Sequence, residues 1–416
     1  MLRKDVIFLN FYYFLLRFAF SFTFLYARIK KQRGESIMKI AGIIVEYNPF
    51  HSGHRYHIEK TRALTQCDLL IAVMSGNFVQ RGEPAITDKW HRAKTAVQNG
   101  VDLVIELPYV FAVESADYFS KGALQILHAA GVKQIVFGSE SFNETALHQA
   151  FVLSQSQAYQ DAVNHYLASG ASYPASLNQA FQAVGGIEIK NPNDLLGLSY
   201  AREIYQNHYP IKIRTIARTQ PYHDLGLQQP FASASALRQA IKDQQDISFY
   251  SPMVISHPHL MESYFDLLQY LLLTTPPSKL QTIHTMTEGL ENRLQEAMQK
   301  ATDMDDFFKR VQTRRYTRPR LSRTLIHLLM SDQLPSRKDL DVGYLRLLAC
   351  NQKGKDYLRT LKKTSPLPLV GNYSALQHPH LEMEMQAARL YALSAPARQR
   401  ATIIRDEYTH PFLFLP

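Results

Sequence analysis

The order of sequence patterns predicts an α/β protein with a doubly wound parallel sheet, followed by a mainly helical C-terminal region. Short apolar runs rich in β-branched residues read KIAGIIVEY, DLLIAVMSG, VDLVIELP, VKQIVFGSE and IKIRTIAR. Segments with helical spacing lie between them, and two of these segments end at Gly100 and Gly131. Strands that alternate with helices in this rhythm favour a parallel sheet with helices on both faces.

The helical segments follow the strands in a regular order. GHRYHIEKTRALTQC, DKWHRAKTAVQNG and ADYFSKGALQILHAAG come first, and residues 144–185 form a further helical stretch rich in Gln and Ala. A helix is expected after Pro192, and ASASALRQAIKD begins another with a serine N-cap. Beyond about Asp246 the strand pattern fades into helices. Ligands of such a sheet bind at the carboxyl ends of its strands, where NPFHSGH, SGNFVQRGEP and FGSE occur.

Composition limits the class of protein. The chain has 416 residues, 46% of them hydrophobic, so it can bury a large core. Cys67 and Cys350 match neither a disulfide framework nor a paired-ligand zinc site, so a reducing, cytoplasmic location is expected. The net charge of +10 suggests an anionic partner without distinguishing nucleic acid from a membrane surface.

The first 37 residues stand apart from the rest. They hold seven basic and two acidic side chains, and the run from Val6 to Tyr26 is long enough to span a bilayer as an anchor. Arg17 lies near the middle of that run, where a charge is costly, so we favour translation from Met38. The expected organisation is an upstream extension at 1–37, an α/β domain at 38–246, and a helical, basic domain at 247–416.

The motif His51-Ser52-Gly53-His54 follows the first strand and opens a helix. A helix amino end exposes unpaired N–H groups that attract phosphate, and Gly53 lacks the Cβ that would block close approach. Two imidazoles add donors for charge on a reacting phosphoryl group. The alternative is that the histidines only cap and pack.

A second motif, SASALR, contains Ser233, Ser235 and Arg238. Serines at a helix start can hold phosphate oxygens, and Arg238 can reach the β and γ phosphates. The chain has neither a Walker A lysine motif nor Gly-x-Gly-x-x-Gly, which disfavours the P-loop and dinucleotide classes.

The two motifs together resemble the signature pair of HIGH-type nucleotidyltransferases, which have a Rossmann-like fold. With GIIVEYNPFHSGHRYHI, MSGNFVQRGEPAI, DKWHRAK, GVDLVIELP, GVKQIVFGSE and PNDLLGLSYA, the chain is similar to the bacterial tRNA(Met) cytidine acetate ligase family. The resemblance implies that acetate and ATP give acetyl-adenylate and pyrophosphate. It implies that the acetyl group then passes to N4 of the wobble cytidine of elongator tRNA(Met), giving N4-acetylcytidine.

The resemblance also implies the site residues. The expected catalytic residues are His51, His54 and Arg238. ATP is expected to be the substrate and Mg²⁺ the metal, with no protein ligand of the metal assigned and no stable protein partner expected. Ser52 and Asp194 depart from the asparagines usual in relatives. The expected ATP-binding residues are Ile44, Val45, Glu46, Tyr47, Asn48, Pro49, Phe50, His51, Ser52, Gly53, His54, Arg55, Tyr56, His57, Gly138, Asn193, Arg218, Ser233 and Ser235.

A basic cluster from Lys309 to Arg323 contains seven basic residues and no acidic one. Such a cluster suits RNA phosphates, with Tyr316 available for stacking, although a solvated helix face has the same composition. The expected RNA-binding residues are Arg314, Arg315, Arg318 and Arg320. The loop residues Gln80, Arg81 and Glu83 could contact a substrate or form a surface turn, and Glu46 and Glu106 could orient the site or be paired buried carboxylates.

Two other functions stay open at this point. One is a nucleotidyltransferase that makes a small nucleotide cofactor, which would need no large basic RNA surface. The other is a non-catalytic RNA-binding protein on the same fold, against which the intact histidine and SASALR motifs argue.

Overall fold

The computed structural model describes residues 38–140, 143–189, 191–217, 232–334 and 336–416. The expected extension at 1–37 and the candidate Arg218 lie outside these ranges. Residues 40–416 form one compact unit. The functional division at residue 246 remains a prediction.

A parallel sheet forms the centre of the molecule. The strands up to residue 217 are β1 Ile40–Val45, β2 Leu69–Ser75, β3 Phe78–Val79, β4 Glu83–Pro84, β5 Leu103–Leu107, β6 Gln134–Ser139 and β7 Lys212–Ala217. Five of them are parallel neighbours in the order β5, β2, β1, β6, β7, and β3 pairs with β4 in a separate antiparallel ribbon. The chain adds strands first on one side of β1 and then on the other, which creates a crevice at the carboxyl ends of β1 and β6.

Helices cover both faces of this sheet, as the alternating pattern predicts. One face buries Ile58, Trp90 and Ala93 against strand residues such as Ile43, and the other buries Leu124 and Leu127 against Ile71. Strands β2 and β5 are buried along their whole length, which explains why they read as continuous apolar runs. The helices of this part are α1 Ser52–Thr65, α2 Lys89–Gln98, α3 Tyr109–Ala112, α4 Ala116–Ala129, α5 Glu144–Ser154, α6 Gln157–Ala168, α7 Tyr173–Gly185, α8 Pro192–Gln206 and α9 Ala234–Lys242.

The C-terminal region is mainly helical but also extends the sheet. Strand β8 Leu345–Cys350 runs antiparallel to β5, and β9 Leu369–Val370 and β10 Leu413–Phe414 pair with β8. The sequence patterns did not indicate these three strands. No helix in the described part of the chain has the length and hydropathy of a bilayer span. The helices here are α10 Phe265–Thr274, α11 Pro277–Leu280, α12 Leu290–Met298, α13 Met304–Val311, α14 Arg318–Leu329, α15 Gln352–Thr364, α16 Pro379–Leu393 and α17 Ala397–Thr409.

A buried ion cluster attaches the C-terminal region to the central sheet. The Lys89 ammonium lies 2.7 Å from Glu106 and 2.9 Å from Glu407, and the Arg346 guanidinium forms ion pairs with both carboxylates. These four side chains come from α2, β5, α17 and β8. Glu106 is therefore a paired buried carboxylate, which was the simpler of its two interpretations.

Candidate nucleotide site and RNA-facing cavity

A cavity of about 1090 Å³ opens at the carboxyl ends of β1 and β6. The β1–α1 loop, the end of β6, the start of α9, and the turn before α14 all contribute to its lining. It therefore lies at the edge of the sheet where the sequence analysis places a ligand site. The predicted ATP-site residues that line it are Ile44, Val45, Glu46, Tyr47, Asn48, His51, Gly53, His54, Tyr56, His57, Gly138, Asn193, Ser233, Ser235 and Arg238.

The two motif histidines form a reciprocal cap at the amino end of α1. The His51 Nδ1 accepts a hydrogen bond from the Gly53 N–H at 3.1 Å, and the His54 Nδ1 accepts one from the His51 N–H at 3.2 Å. An imidazole nitrogen that accepts from a backbone N–H carries no proton, so the neutral rings hold their protons on Nε2. Both rings line the cavity, where an Nε2–H group is a hydrogen-bond donor suited to phosphate.

Aromatic packing holds the second imidazole in place. The His54 ring lies 4.9 Å from the Tyr47 ring and 5.7 Å from the Phe50 ring, and both neighbours are buried. The centroids of the His51 and His54 rings lie 3.8 Å apart, and the ring planes are tilted by 32°. Their separation and tilt are therefore set before any ligand binds, which reduces the entropy lost when a phosphate is held.

The SASALR motif, at the start of α9, contacts the β1–α1 loop. The Arg238 Nη1 donates to the Asn48 carbonyl oxygen at 2.9 Å, its Nη2 donates to the Ser235 hydroxyl at 3.3 Å, and its Nε lies 3.7 Å from Glu83. The Ser233 hydroxyl caps α9 by accepting from the Ala236 N–H at 3.1 Å. The structure thus brings the two motifs together across nearly 190 residues of chain, as the sequence analysis expects.

Of the other predicted nucleotide-binding residues, some line the cavity and some do not. The Asn193 amide donates to Glu140 at 2.9 Å on the β6 side of the cavity. Asp194 is fully buried and accepts from the Ser139 hydroxyl at 2.6 Å, so it fastens α8 to the end of β6. Four predicted residues are absent from the cavity lining: Pro49, Phe50, Ser52 and Arg55. For Phe50 the reason is that its ring belongs to the core.

The cavity extends to the basic cluster that precedes α14. Arg315 and Arg320 line it, whereas Arg314 and Arg318 do not. The Arg318 guanidinium instead lies 4.3 Å above the Phe308 ring. The expectation that Tyr316 is available for base stacking is wrong: its side chain is only 9% exposed, and the Arg320 guanidinium covers its ring at 4.8 Å.

The turn between β3 and β4 connects the nucleotide side of the cavity with α14. The Gln80 N–H donates to the Glu46 carboxylate at 2.8 Å, and the Arg323 Nη1 donates to the Gln80 carbonyl oxygen at 3.4 Å. Burial raises the pKa of Glu46, although the Gln80 N–H and Arg81 oppose this shift. The position of FVQRGEP after a strand indicated this turn, but its contact with Arg323 joins residues 243 positions apart and had no sequence signal.

One group of potential metal ligands occurs within the described ranges, formed by Glu114, His284 and His327. Their ligand atoms lie within 4.8 Å of one another. The Glu114 carboxylate already accepts from the His284 Nε2 at 2.6 Å and the Arg337 Nε at 3.0 Å. A buried guanidinium this close opposes a divalent cation, and imidazole is a poor ligand for Mg²⁺. We therefore assign this group to a structural polar network.

We predict that the cap function and the ligand function of His51 can be separated. His51→Ala should lower the free energy of unfolding by about 1 kcal/mol because the N-cap acceptor is lost. His51→Ser keeps an acceptor for the helix and should retain the stability of the wild type. Both variants should bind ATP more weakly, because both lack the Nε2–H donor.

Urea unfolding and calorimetric ATP titration of the two variants test this separation. If both variants bind ATP as the wild type does, His51 is only a cap. Equal destabilisation by alanine and serine would contradict the cap geometry.

Comparison with known proteins agrees with the fold. The family model described as HIGH Nucleotidyl Transferase matches residues 38–405. A tRNA(Met) cytidine acetate ligase from Geobacillus sp. is 40% identical, and the match covers 90% of this chain and 99% of that protein. The Bacillus subtilis protein of the same name is 37% identical over 90% of this chain and 96% of its own length.

Solved structures of Thermotoga maritima TmcAL are similar over nearly the whole chain. The apo form and the form bound with alpha-thio ATP superpose with TM-scores of 0.81 and 0.82. Each is 29% identical in sequence and is covered completely, while 91% of this chain is matched. The chain therefore belongs to the tRNA(Met) cytidine acetate ligase family of HIGH nucleotidyltransferases.

Proposed function

We propose that this ATP-dependent ligase activates acetate as acetyl-adenylate and transfers the acetyl group to N4 of the wobble cytidine of elongator tRNA(Met). One observation carries the proposal: the histidine motif and three arginines of the basic cluster, Arg315, Arg320 and Arg323, line the same cavity. A nucleotide bound at the first can then lie beside RNA bound at the second. The names of the relatives supply the identities of the acid and the RNA.

The first step requires groups that hold the triphosphate and stabilise departing pyrophosphate. The amino end of α1 and the Nε2–H groups of His51 and His54 supply donors directly after β1. Arg238 adds a permanent positive charge anchored on Asn48. An acetate oxygen attacks the α-phosphorus, the bond between the α-phosphorus and the bridging oxygen breaks, and pyrophosphate leaves. Fixed donors suit this step because they need little reorganisation as charge moves.

Mg²⁺ is the expected companion of ATP, and it would supply charge neutralisation on the phosphates. The carboxylates that line the cavity are already engaged: Glu46 by the Gln80 N–H, Glu83 by Arg238, Glu114 by Arg337 and His284, and Asp117 by Arg202. Mg²⁺ commonly keeps several waters and binds mainly through substrate phosphates. We therefore expect the metal to arrive with ATP instead of occupying a dedicated carboxylate cage.

The second step requires an RNA nucleotide at the same cavity. Helix α14 begins with Arg318 and Arg320 in its first turn and has no acidic residue there. Arg318 is paired with Asp305 at 3.3 Å, whereas Arg320 lines the cavity and donates to the Thr287 hydroxyl at 2.9 Å. A cation such as Arg320 beside the positive end of a helix dipole favours a bound anion, so this end suits an RNA phosphate. The cytidine amine attacks the acetyl carbonyl, AMP leaves, and the amine loses a proton. An enzyme that makes a small cofactor has no need of this arrangement.

The function is tested by incubating the chain from Met38 with labelled acetate, ATP, Mg²⁺ and total tRNA. We predict acetate-dependent pyrophosphate release and label in N4-acetylcytidine. His54→Ala should lower acetate-dependent ATP–pyrophosphate exchange by about 10²-fold or more, because a stabilising donor at the phosphates is lost. Lys94→Met, an exposed change on α2, is the matched control.

Two outcomes would contradict this function. Absence of both acetate-dependent pyrophosphate and RNA label would exclude the ligase. Label that arises only from acetyl-CoA would indicate an acetyltransferase.

We further predict that Arg315→Gln and Arg320→Gln impair transfer to tRNA while ATP–pyrophosphate exchange with acetate continues. Each loss of a phosphate contact should reduce the slope of log affinity against log salt by about 1. Arg359→Gln is the charge-matched control, since Arg359 is exposed on α15. A salt dependence that stays unchanged in both cavity variants would refute their contact with RNA.

A further inference from the structure

The Gln80–Gly82 turn lies between the two halves of the cavity and carries an arginine that the mechanism above does not use. The Glu46 carboxylate holds this turn from β1 through the Gln80 N–H, and Arg323 holds it from α14 through the Gln80 carbonyl oxygen. Arg81 lines the cavity between these two attachments. The backbone that carries Arg81 is therefore held in place by Glu46 on one side of the cavity and by Arg323 on the other.

Gly82 allows this turn to approach α14 closely. Its φ of +75° is in the left-handed region, and a Cβ at this position would lie 2.2 Å from the Arg323 backbone nitrogen. Only glycine permits that contact without a shift of α14 or of the turn. The location of Arg81 relative to α14 is consequently constrained by backbone packing, which makes it a suitable platform for positioning a small substrate.

The charges around Arg81 favour an anionic ligand. Its guanidinium interacts electrostatically with Glu46, Glu83 and Arg238, and Arg81 in turn acts on Arg323. Burial lowers the pKa of Arg81, and burial lowers the pKa of Arg323 to about 10. Arg81 thus interacts with two like charges, Arg238 and Arg323, and with two carboxylates, Glu46 and Glu83. The three guanidinium groups outnumber these two carboxylates by one charge, so a bound anion would balance the group.

The location of Arg81 relative to β1 indicates which anion it binds. The turn follows β2 and β3, on one side of β1, whereas the nucleotide candidates Gly138 and Asn193 belong to β6 and α8 on the other side. In the proposed reaction the acetyl group must lie between the α-phosphate of ATP and the RNA amine. Besides ATP, the first step has one anionic reactant, the acetate carboxylate, and a guanidinium can hold a carboxylate with two parallel N–H bonds.

We propose that Arg81 binds the carboxylate of the acyl substrate and presents one of its oxygens to the α-phosphorus of ATP. This inference rests on the proposed function. One carboxylate oxygen forms the new bond to phosphorus, and pyrophosphate takes the electron pair of the bond that breaks. The other oxygen becomes the carbonyl oxygen of acetyl-adenylate and keeps an N–H donor of Arg81. When the cytidine amine attacks the carbonyl carbon, the same donor stabilises the developing oxyanion until AMP departs.

The test compares Arg81→Gln and Arg81→Lys with the wild type in ATP–pyrophosphate exchange, with acetate and ATP varied separately and no RNA present. Arg81→Gln should raise the KM for acetate by about 10- to 100-fold, because a charge-assisted contact to the carboxylate is lost. The KM for ATP should change by less than about 3-fold. Arg81→Lys keeps the charge but not the paired donors, so its KM for acetate should lie between the other two.

Controls separate this inference from folding and from the proposed function. Thermal unfolding of each variant reports on the turn, and Arg359→Gln removes an exposed charge elsewhere. An unchanged KM for acetate in a folded Arg81→Gln variant would overturn the inference. An equal rise in both KM values would make Arg81 an ATP ligand, and loss of RNA transfer alone would make it an RNA-phosphate ligand; either result overturns it. Absence of acetate-dependent exchange in the wild type would instead refute the proposed function.

Discussion

The reciprocal cap between His51 and His54 is the interaction on which the nucleotide site depends. It uses the Nδ1 atom of both rings to satisfy backbone N–H groups at the start of α1, and thereby leaves the protons on Nε2. The helix end and the two donors consequently occupy one place, at the crevice beside β1. A short motif can in this way serve both folding and ligand binding, and the capping interpretation does not compete with the phosphate interpretation.

Long-range contacts keep this cap in the correct position. The Ser251 hydroxyl donates to the Phe50 carbonyl oxygen at 2.6 Å, and the Ile86 N–H donates to the Asn48 side chain at 2.7 Å. Arg238 bonds the Asn48 carbonyl oxygen from α9. The β1–α1 loop is therefore fixed by segments that lie before and after the predicted domain boundary. Such support is needed because a site for phosphoryl chemistry tolerates only small errors of position.

The sequence predicted the central strands, the helices between them and the meeting of the two motifs, because each rests on local periodicity or on a motif of few residues. It did not predict β8, whose run LRLLAC is too short to distinguish a strand from a buried helix. The burial of Tyr316 and the contact of Arg323 with Gln80 could not be predicted from the sequence either, because both depend on tertiary packing. Asp194 illustrates the same limit, because its contact with the Ser139 hydroxyl joins β6 to α8 and had no sequence signal.

Because the histidine motif and the basic cluster share one cavity, we propose that acetate is activated at the α-phosphate next to the proposed RNA-binding side. An acyl-adenylate is readily hydrolysed, so forming it close to the acceptor amine shortens its exposure to water. The most direct measurement uses acetate with both oxygens replaced by oxygen-18, together with ATP and tRNA, followed by mass spectrometry of the nucleotide products. The account predicts one oxygen-18 atom in each AMP formed. Unlabelled AMP, or oxygen-18 in orthophosphate, would contradict it.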